Sequence, residues 1–484
     1  MEINTSSRSS DRKRETQSRT PIRRFCVVML LGLTVVVMAL PGFMHAAGAV
    51  QLHYTIASFS AGTSPTAAKI GDLDGDGLND IAVAGTQGSL QLFFNDGGGS
   101  FERVSLSGQW PATSITGDVD IGDLNGDGQN DLAVAFSTPT GAISVLLNQG
   151  NRSFSAPVNY DTCNNSNGVA IGDLDQDGDN DIADINGCSR SDVLLNNGHA
   201  SFTFAGAYGS GSYARSIALA DFNRDGFKDI AYVNGGDGLV TVLFNNGNGS
   251  FGEPVWLYAG DSPDDLTVGD FDGDGNTDVA IANSYYSLVI VLLNDNQGTF
   301  SGYSELSGGL SPTSIAPGDF DGDGRLDYAV ASMGMNSLSL FLNQGNYSFA
   351  DGGTFYVPQN PVDVEAGHLD ADSLPDLVVV NQGSGSIAVL FSSVDIPPPP
   401  PPPPAQITLT VTTSRTKTAR LVELRWSGAP DPSVDIYRNG SRLTTVSNTG
   451  SYTDRFGRNA SGTFTYKVCS AGSQQCSNQS TIGF

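Results

Sequence analysis

Gly71-Asp72-Leu73-Asp74-Gly75-Asp76-Gly77-Leu78-Asn79-Asp80 decides the fold, because the chain returns to it at a nearly constant interval. Asp72 has counterparts at Asp123, Asp173, Asp221, Asp270 and Asp319, and a seventh copy carries His368 at that place. The intervals are 51, 50, 48, 49, 49 and 49 residues. Self-similarity at a period of this size marks a repeat architecture.

Each period has one internal grammar. An apolar segment such as Thr313-Ser314-Ile315-Ala316 leads into the acidic loop, and a short strand such as Ile81-Ala82-Val83-Ala84 leaves it. A third strand follows a polar turn, as in Val242-Leu243-Phe244. An Asn- and Gly-rich turn then precedes a Phe that opens a fourth strand: Phe101, Phe154, Phe202, Phe251, Phe300 and Phe349. Such turns supply the positive φ that tight hairpins require. Four strands per repeat describe a propeller blade. The expected fold is therefore all-β, a seven-bladed β-propeller over residues 51–394. The seventh period lacks a fourth strand. Counting back from Asp72 by the 19 residues that separate Phe from loop in five of the blades reaches His53. Leu52-His53-Tyr54-Thr55-Ile56 should therefore complete the last blade and close the ring, leaving no open sheet edge there.

The spacing Asp-x-Asp-x-Asp-Gly-x-x-Asp is chemically specific. Short carboxylates at positions 1, 3 and 5 converge on one cation only if the backbone curls, and Gly at position 6 permits the curl. Position 7 can offer its carbonyl, and position 9 closes the site. Oxygen ligands without His or Cys favour calcium over zinc. The candidate ligands are Asp72, Asp74, Asp76 and Asp80, then Asp123, Asn125, Asp127 and Asp131, then Asp173, Asp175, Asp177 and Asp181. The remaining loops supply Asp221, Asn223, Asp225 and Asp229, then Asp270, Asp272, Asp274 and Asp278, and finally Asp319, Asp321, Asp323 and Asp327. The seventh loop keeps Asp370, Asp372 and Asp376 but has His368 at position 1 and Ser373 for the glycine, so weak or no binding is expected there.

These loops resemble those of the integrin-alpha FG-GAP and bacterial VCBS-type repeats. The resemblance implies a seven-bladed propeller with calcium between the first and second strands of a blade, away from the face where integrins bind partners. It does not imply integrin function. The regular repetition of the carboxylates favours a bracing role over a catalytic pair, which should be a singular departure from the repeat. Partner contact is expected on the opposite face, with Trp256, Tyr285 and Tyr286 as candidate ligand-binding residues.

Residues 1–49 read as a signal peptide: a polar stretch with Arg12, Lys13, Arg14, Arg19, Arg23 and Arg24, an apolar run from Phe25 to about Leu40, and Ala47-Gly48-Ala49. An uncleaved anchor is the alternative. Cleavage would remove seven of 24 basic and three of 51 acidic residues, leaving 17 against 48, a net of −31. A nucleic-acid footprint is therefore excluded, and a secreted or cell-surface location is expected, with no membrane span in the mature chain. Four cysteines remain, and pairing of Cys163 with Cys188 and of Cys469 with Cys476 is expected in an oxidising compartment.

Pro397 to Pro404, within a linker at 395–405, should form a stiff spacer roughly 25 Å long. Residues 406–484 alternate like a small β-sandwich and resemble a fibronectin type III module, with Trp426 buried and Tyr466 near its corner. No GxSxG elbow, HExxH helix, CxxC pair or Walker loop occurs. The expected function is an exported, calcium-stabilised binding or adhesion protein for a glycan or an extracellular protein. The alternative is a polysaccharide-acting lyase or hydrolase.

Overall fold

The computed structural model describes residues 52–106, 110, 115–137, 141–188, 190–209, 211–295, 297–345, 348–394, 406–472 and 475–484. The expected signal peptide and proline linker lie outside them. No helix among the described residues is long and apolar enough to cross a membrane.

Residues 52–394 form seven four-stranded antiparallel sheets. In blade one the strands are Pro65–Gly71, Asp80–Gly85, Ser89–Asn95 and Phe101–Ser105, in spatial as in chain order. The second strands are buried end to end, because hydrocarbon from neighbouring blades covers both faces. The first strands line the axis, each packing on the next, and Pro361–Gly367 of blade seven packs on Pro65–Gly71 of blade one to close the ring. Leu52–Ser60 pairs antiparallel with Ser386–Val394, His53 opposite Ser393, so the N-terminal strand does complete the last blade.

An inner strand exposes one unpaired edge to the axis, and backbone N–H groups there need acceptors. In five of the seven blades the residue five before the loop supplies one to the next blade. Asp118 accepts from Val169 N (3.2 Å), Asp265 from Ile315 N (3.0 Å), Ser314 from Val364 N (3.1 Å) and Asp363 from Ala68 N (2.8 Å). The Lys69–Glu365 ion pair adds a link between the first and last blades.

Residues 406–484 contain a three-stranded sheet (Thr408–Arg415, Ala419–Ser427, Ser451–Gly457) and a four-stranded one, ordered Ser441–Ser447, Ser433–Arg438, Thr463–Ser470, Ser480–Gly483. Trp426 and Tyr466 are buried in their shared core. The Tyr466 hydroxyl donates to Asp454 Oδ2 (2.7 Å), which also takes Arg438. Both expected disulfides are present, Cys163–Cys188 with Cα atoms 6.0 Å apart and Cys469–Cys476 across an antiparallel bridge.

Candidate metal loops and the opposite face

Each acidic loop joins the first and second strands of its blade. Position 6 takes a left-handed φ in all six intact loops, from +83° at Gly128 to +93° at Gly178. A side chain is strained there, which explains the glycine. The curl turns the position 1 carboxylate inward. Asp72 accepts from Gly75 N (2.7 Å) with one oxygen and from Gly77 N (3.0 Å) with the other. Asp74 and Asp76 each cap a backbone N–H two residues on.

Position 9 ties the loop to the blade. Asp80 is fully buried, one oxygen accepting from Leu73 N (2.8 Å) and the other from Asn95 N (2.7 Å). The same pair of bonds recurs at Asp131, Asp181, Asp229, Asp278 and Asp327. The asparagine then reaches the preceding blade. Asn95 Nδ2 donates to Leu369 O, Asn148 to Leu73 O, Asn196 to Leu124 O, Asn245 to Leu174 O, Asn294 to Phe222 O and Asn343 to Phe271 O. Six of the seven loop-to-loop junctions are bonded in this way, a link that strand patterns alone did not reveal. In blade seven Ser392 stands where the asparagine would be.

Carboxylate oxygens at positions 1, 3 and 9 lie within 4.8 Å of one another in four loops: Asp72, Asp74 and Asp80; Asp173, Asp175 and Asp181; Asp270, Asp272 and Asp278; Asp319, Asp321 and Asp327. Loops two and four have Asn125 and Asn223 at position 3, which can offer an amide oxygen instead of a charge. The position 5 aspartates stand at the exposed side of each loop. Burial pushes the position 9 carboxyls up, to about 6 at Asp80 and about 7 at Asp278, and neighbouring loop carboxylates push the same way against the backbone bonds. Such a donor set suits a hard divalent cation, which would reverse that repulsion. Loop one has a further feature, since Arg152 of the next blade places Nε 2.7 Å from Asp74 Oδ2.

The seventh loop is built differently. Ser373 does not take the positive φ of the other loops, and the His368 ring hydrogen-bonds the Leu374 carbonyl (3.1 Å). That carbonyl is the position 7 oxygen a cation would need.

The face opposite the loops is made of the turns between second and third strands and the connections between blades. Tyr285 (69% exposed) and Tyr286 (44%) share one such turn in blade five, their rings edge to face. The Tyr286 hydroxyl donates to Asp261 (3.1 Å), and its bonds to Tyr258 and Asp261 push its phenol up to about 12. Trp256 lies in the outer strand of blade four rather than in a connection, opposite Thr241, and it is 55% exposed two residues before Tyr258. Exposed Tyr213, Leu310, Met333, Met335 and Tyr356 extend this apolar surface across blades four to six. Leu310, Met333 and Met335 are ordinary core-type residues whose exposure no sequence pattern marks. Trp110, by contrast, is buried on Phe136.

The axis holds a cavity of about 370 Å³ lined by inner strands of all seven blades, with Lys69, Asp118, Asp120, Asp265, Asp363 and Glu365 among its walls. Burial pushes the Asp118 carboxyl up to about 7, against the pull of Lys69, and it raises the Asp363–Glu365 pair as well.

Two solved structures resemble the chain at low sequence identity. The crystal structure of BBS1N in complex with ARL6DN is 13% identical, with a TM-score of 0.50, over 70% of this chain and 96% of that one. That of Saccharomyces cerevisiae Sqt1 is 11% identical, with a TM-score of 0.49, over 69% and 98%. No curated protein sequence matches significantly. An FG-GAP-like repeat pattern matches residues 72–134, 123–183, 221–281, 270–330 and 319–379, each span running from one acidic loop through the next. The matched spans cover more than half of the chain and begin at position 1 of a loop, so the repeat that builds the blades is the family's own, and the chain belongs to the FG-GAP-like repeat proteins.

Proposed function

We propose that the chain is an exported, calcium-braced binding protein that docks a protein partner on the face opposite its acidic loops. One observation carries this reading: exposed Tyr, Leu and Met side chains gather in the turns and connections of that face across blades four to six, with Trp256 on the adjoining outer strand. Contiguous exposed apolar surface marks interaction sites, and Tyr, Trp and Met are the types enriched in them. Exposed Asp237, in the turn between second and third strands of blade four, and Asp261, in the connection from blade four to blade five, lie on the same face and suit a partner with a basic rim. The two disulfides fit an oxidising compartment. Calcium would be held by the six intact loops and brace the blades. The C-terminal module would be a fibronectin type III-like unit set off by the proline spacer.

Binding of the calcium-saturated mature chain to arrays of extracellular proteins and of glycans tests the reading. Y285A combined with Y286A should abolish protein binding and, because Tyr286 also bonds Asp261, lower the melting temperature by no more than about 3 °C. Binding to glycans alone, or protein binding untouched by the double change, overturns it.

The axial carboxylates favour one second reading, a polysaccharide-acting enzyme, because carboxyls raised by burial, as Asp118 and Asp363 are, suit a general acid. Most of their oxygens already cap the inner strands. Turnover on polysaccharides, lost in D118N and E365Q, would establish it.

A further inference from the structure

Residues 406–484 carry nine Lys and Arg against four Asp and Glu, whereas residues 51–394 carry eight against 43. The small module is the basic part of an acidic chain. Three of its four acids are already paired, Glu423 with Arg425, Asp435 with Arg442 and Asp454 with Arg438. Five of the remaining cations gather at one end of the three-stranded sheet. Arg415 and Arg420 stand directly opposite each other on adjacent strands, and Lys417 lies in the turn between them. Arg455 is opposite Leu421, and the carbonyl of Arg458 accepts from Arg420 Nε (3.3 Å). Arg420 lies over the Phe484 ring, and the other four are exposed. None of the five has an ion-pair partner among the described residues. Like charges directly opposite each other on two strands are destabilising, and an anion lying against them relieves that repulsion.

The surroundings of the cluster narrow the kind of anion. Exposed Ser414, Thr416, Thr418, Asn459 and Ser461 stand beside it. No large apolar side chain is exposed among the described residues of 406–484. The cluster therefore has no apolar wedge for a bilayer and no open aromatic platform on which bases stack. Guanidinium forks match carboxylate and sulfate groups, and the hydroxyls and amide match sugar hydroxyls between them. A polymer with repeating charges engages several of the five cations at once, where a single small anion meets one or two.

We propose that this end of the module is a docking site for an acidic polysaccharide, one bearing carboxylate or sulfate groups. The site is independent of the docking face on the propeller. It lies at the far end of Thr408–Arg415 from the linker, roughly 25 Å away at about 3.3 Å per residue. Fields in physiological salt decay over about 8 Å, so the cluster presents its own sign although the chain as a whole is strongly negative.

Heparin is the probe, titrated against the calcium-saturated mature chain by biolayer interferometry. Binding should saturate and should weaken at least about ten-fold between about 50 and about 300 mM NaCl. K417Q with R455Q and R458Q should weaken it at least about ten-fold and leave the melting temperature within about 2 °C, because all three side chains are exposed. R442Q with K467Q, on the four-stranded sheet, should leave affinity within about two-fold, as should Y285A with Y286A. Absence of saturable binding, or a triple variant that binds like the unmodified chain, overturns the site. Duplex DNA or phosphatidylglycerol vesicles held as tightly as heparin, and lost in the same triple variant, also overturn it, since the cluster would then read charge alone.

Discussion

At the scale of single residues, the acidic loops show how much one position decides. Asp270 caps its own loop with both oxygens, whereas His368 in the seventh loop turns its ring onto the carbonyl that a cation would use. D270A should therefore lose one bound calcium ion and D370A none, as measured by metal content after equilibrium dialysis. Equal stoichiometry in the two variants would sink the assignment. His368 and Ser373 were legible in the sequence because a ligand pattern with fixed spacing exposes its own exceptions. Asp184 was not. It stands on the second strand of blade three where the other blades carry Val, Ile or Tyr, and it is fully buried. Ser166 Oγ (2.8 Å), Asn186 Nδ2 (3.1 Å) and Asp192 N (3.0 Å) all donate to it. These partners come from three strands, and strand alternation cannot show which will meet. Burial first, and the nearby Asp192 carboxylate second, push Asp184 up to about 7. The native state thus holds its proton above the ordinary carboxyl range, so its contribution is most favourable at low pH and is lost as pH rises from about 4 to about 7. D184N should flatten the stability profile across that window by about 1–2 kcal/mol, measured by urea unfolding at saturating calcium. A profile parallel to that of the unmodified chain would refute the shift.

At the scale of elements, strand order and ring closure were legible because period and register are properties of spacing alone. The 19-residue count that placed His53 needs no knowledge of any side-chain contact, and the pairing of Leu52–Ser60 with Ser386–Val394 follows it. What spacing could not show is how neighbouring blades hold together. The asparagine at the end of each third strand meets a loop carbonyl of the preceding blade, 72 residues away in the case of Asn294 and Phe222. Likewise the acceptor five residues before each loop is Asp118, Ser216, Asp265, Ser314 or Asp363, but Ala67 and Gly168 in the remaining two blades, so no pattern announces it. The seventh blade depends most on its borrowed strand. Tyr54 packs edge-on against Phe355 of blade six, and Leu52 joins the same core. Deletion of 52–60 should bare the Ser386–Val394 edge, cost roughly 3–5 kcal/mol of propeller stability and promote association through that edge. Sedimentation and thermal melting check this. A truncated chain that stays monomeric and melts with the full one would refute ring closure.

At the scale of the whole molecule, the loops form one chemical system rather than six independent ones. Each position 9 aspartate bonds the backbone of the asparagine that grips the preceding loop, so order imposed on one loop is passed to its neighbour. The acidic balance makes that system costly without a cation, since 51 Asp and Glu face 24 Lys and Arg. A cation bound only by the folded ring stabilises it by about 2.7 kcal/mol per site when present at 100 times its Kd. Chelation should therefore lower the melting temperature of the propeller by well over about 10 °C. Above saturation, the unfolding free energy should rise linearly with RT ln[Ca²⁺], and its slope counts the ions released on unfolding. Six intact loops predict a slope near six, falling by about one in D270A and unchanged in D370A. A slope near zero, with complete metal removal confirmed by elemental analysis, would mean that hydrogen bonds and the Asn links hold the ring without metal. A slope of two or three would instead place binding in only some of the four all-aspartate loops, and the Asn-containing loops two and four would then be braced by their backbone caps alone.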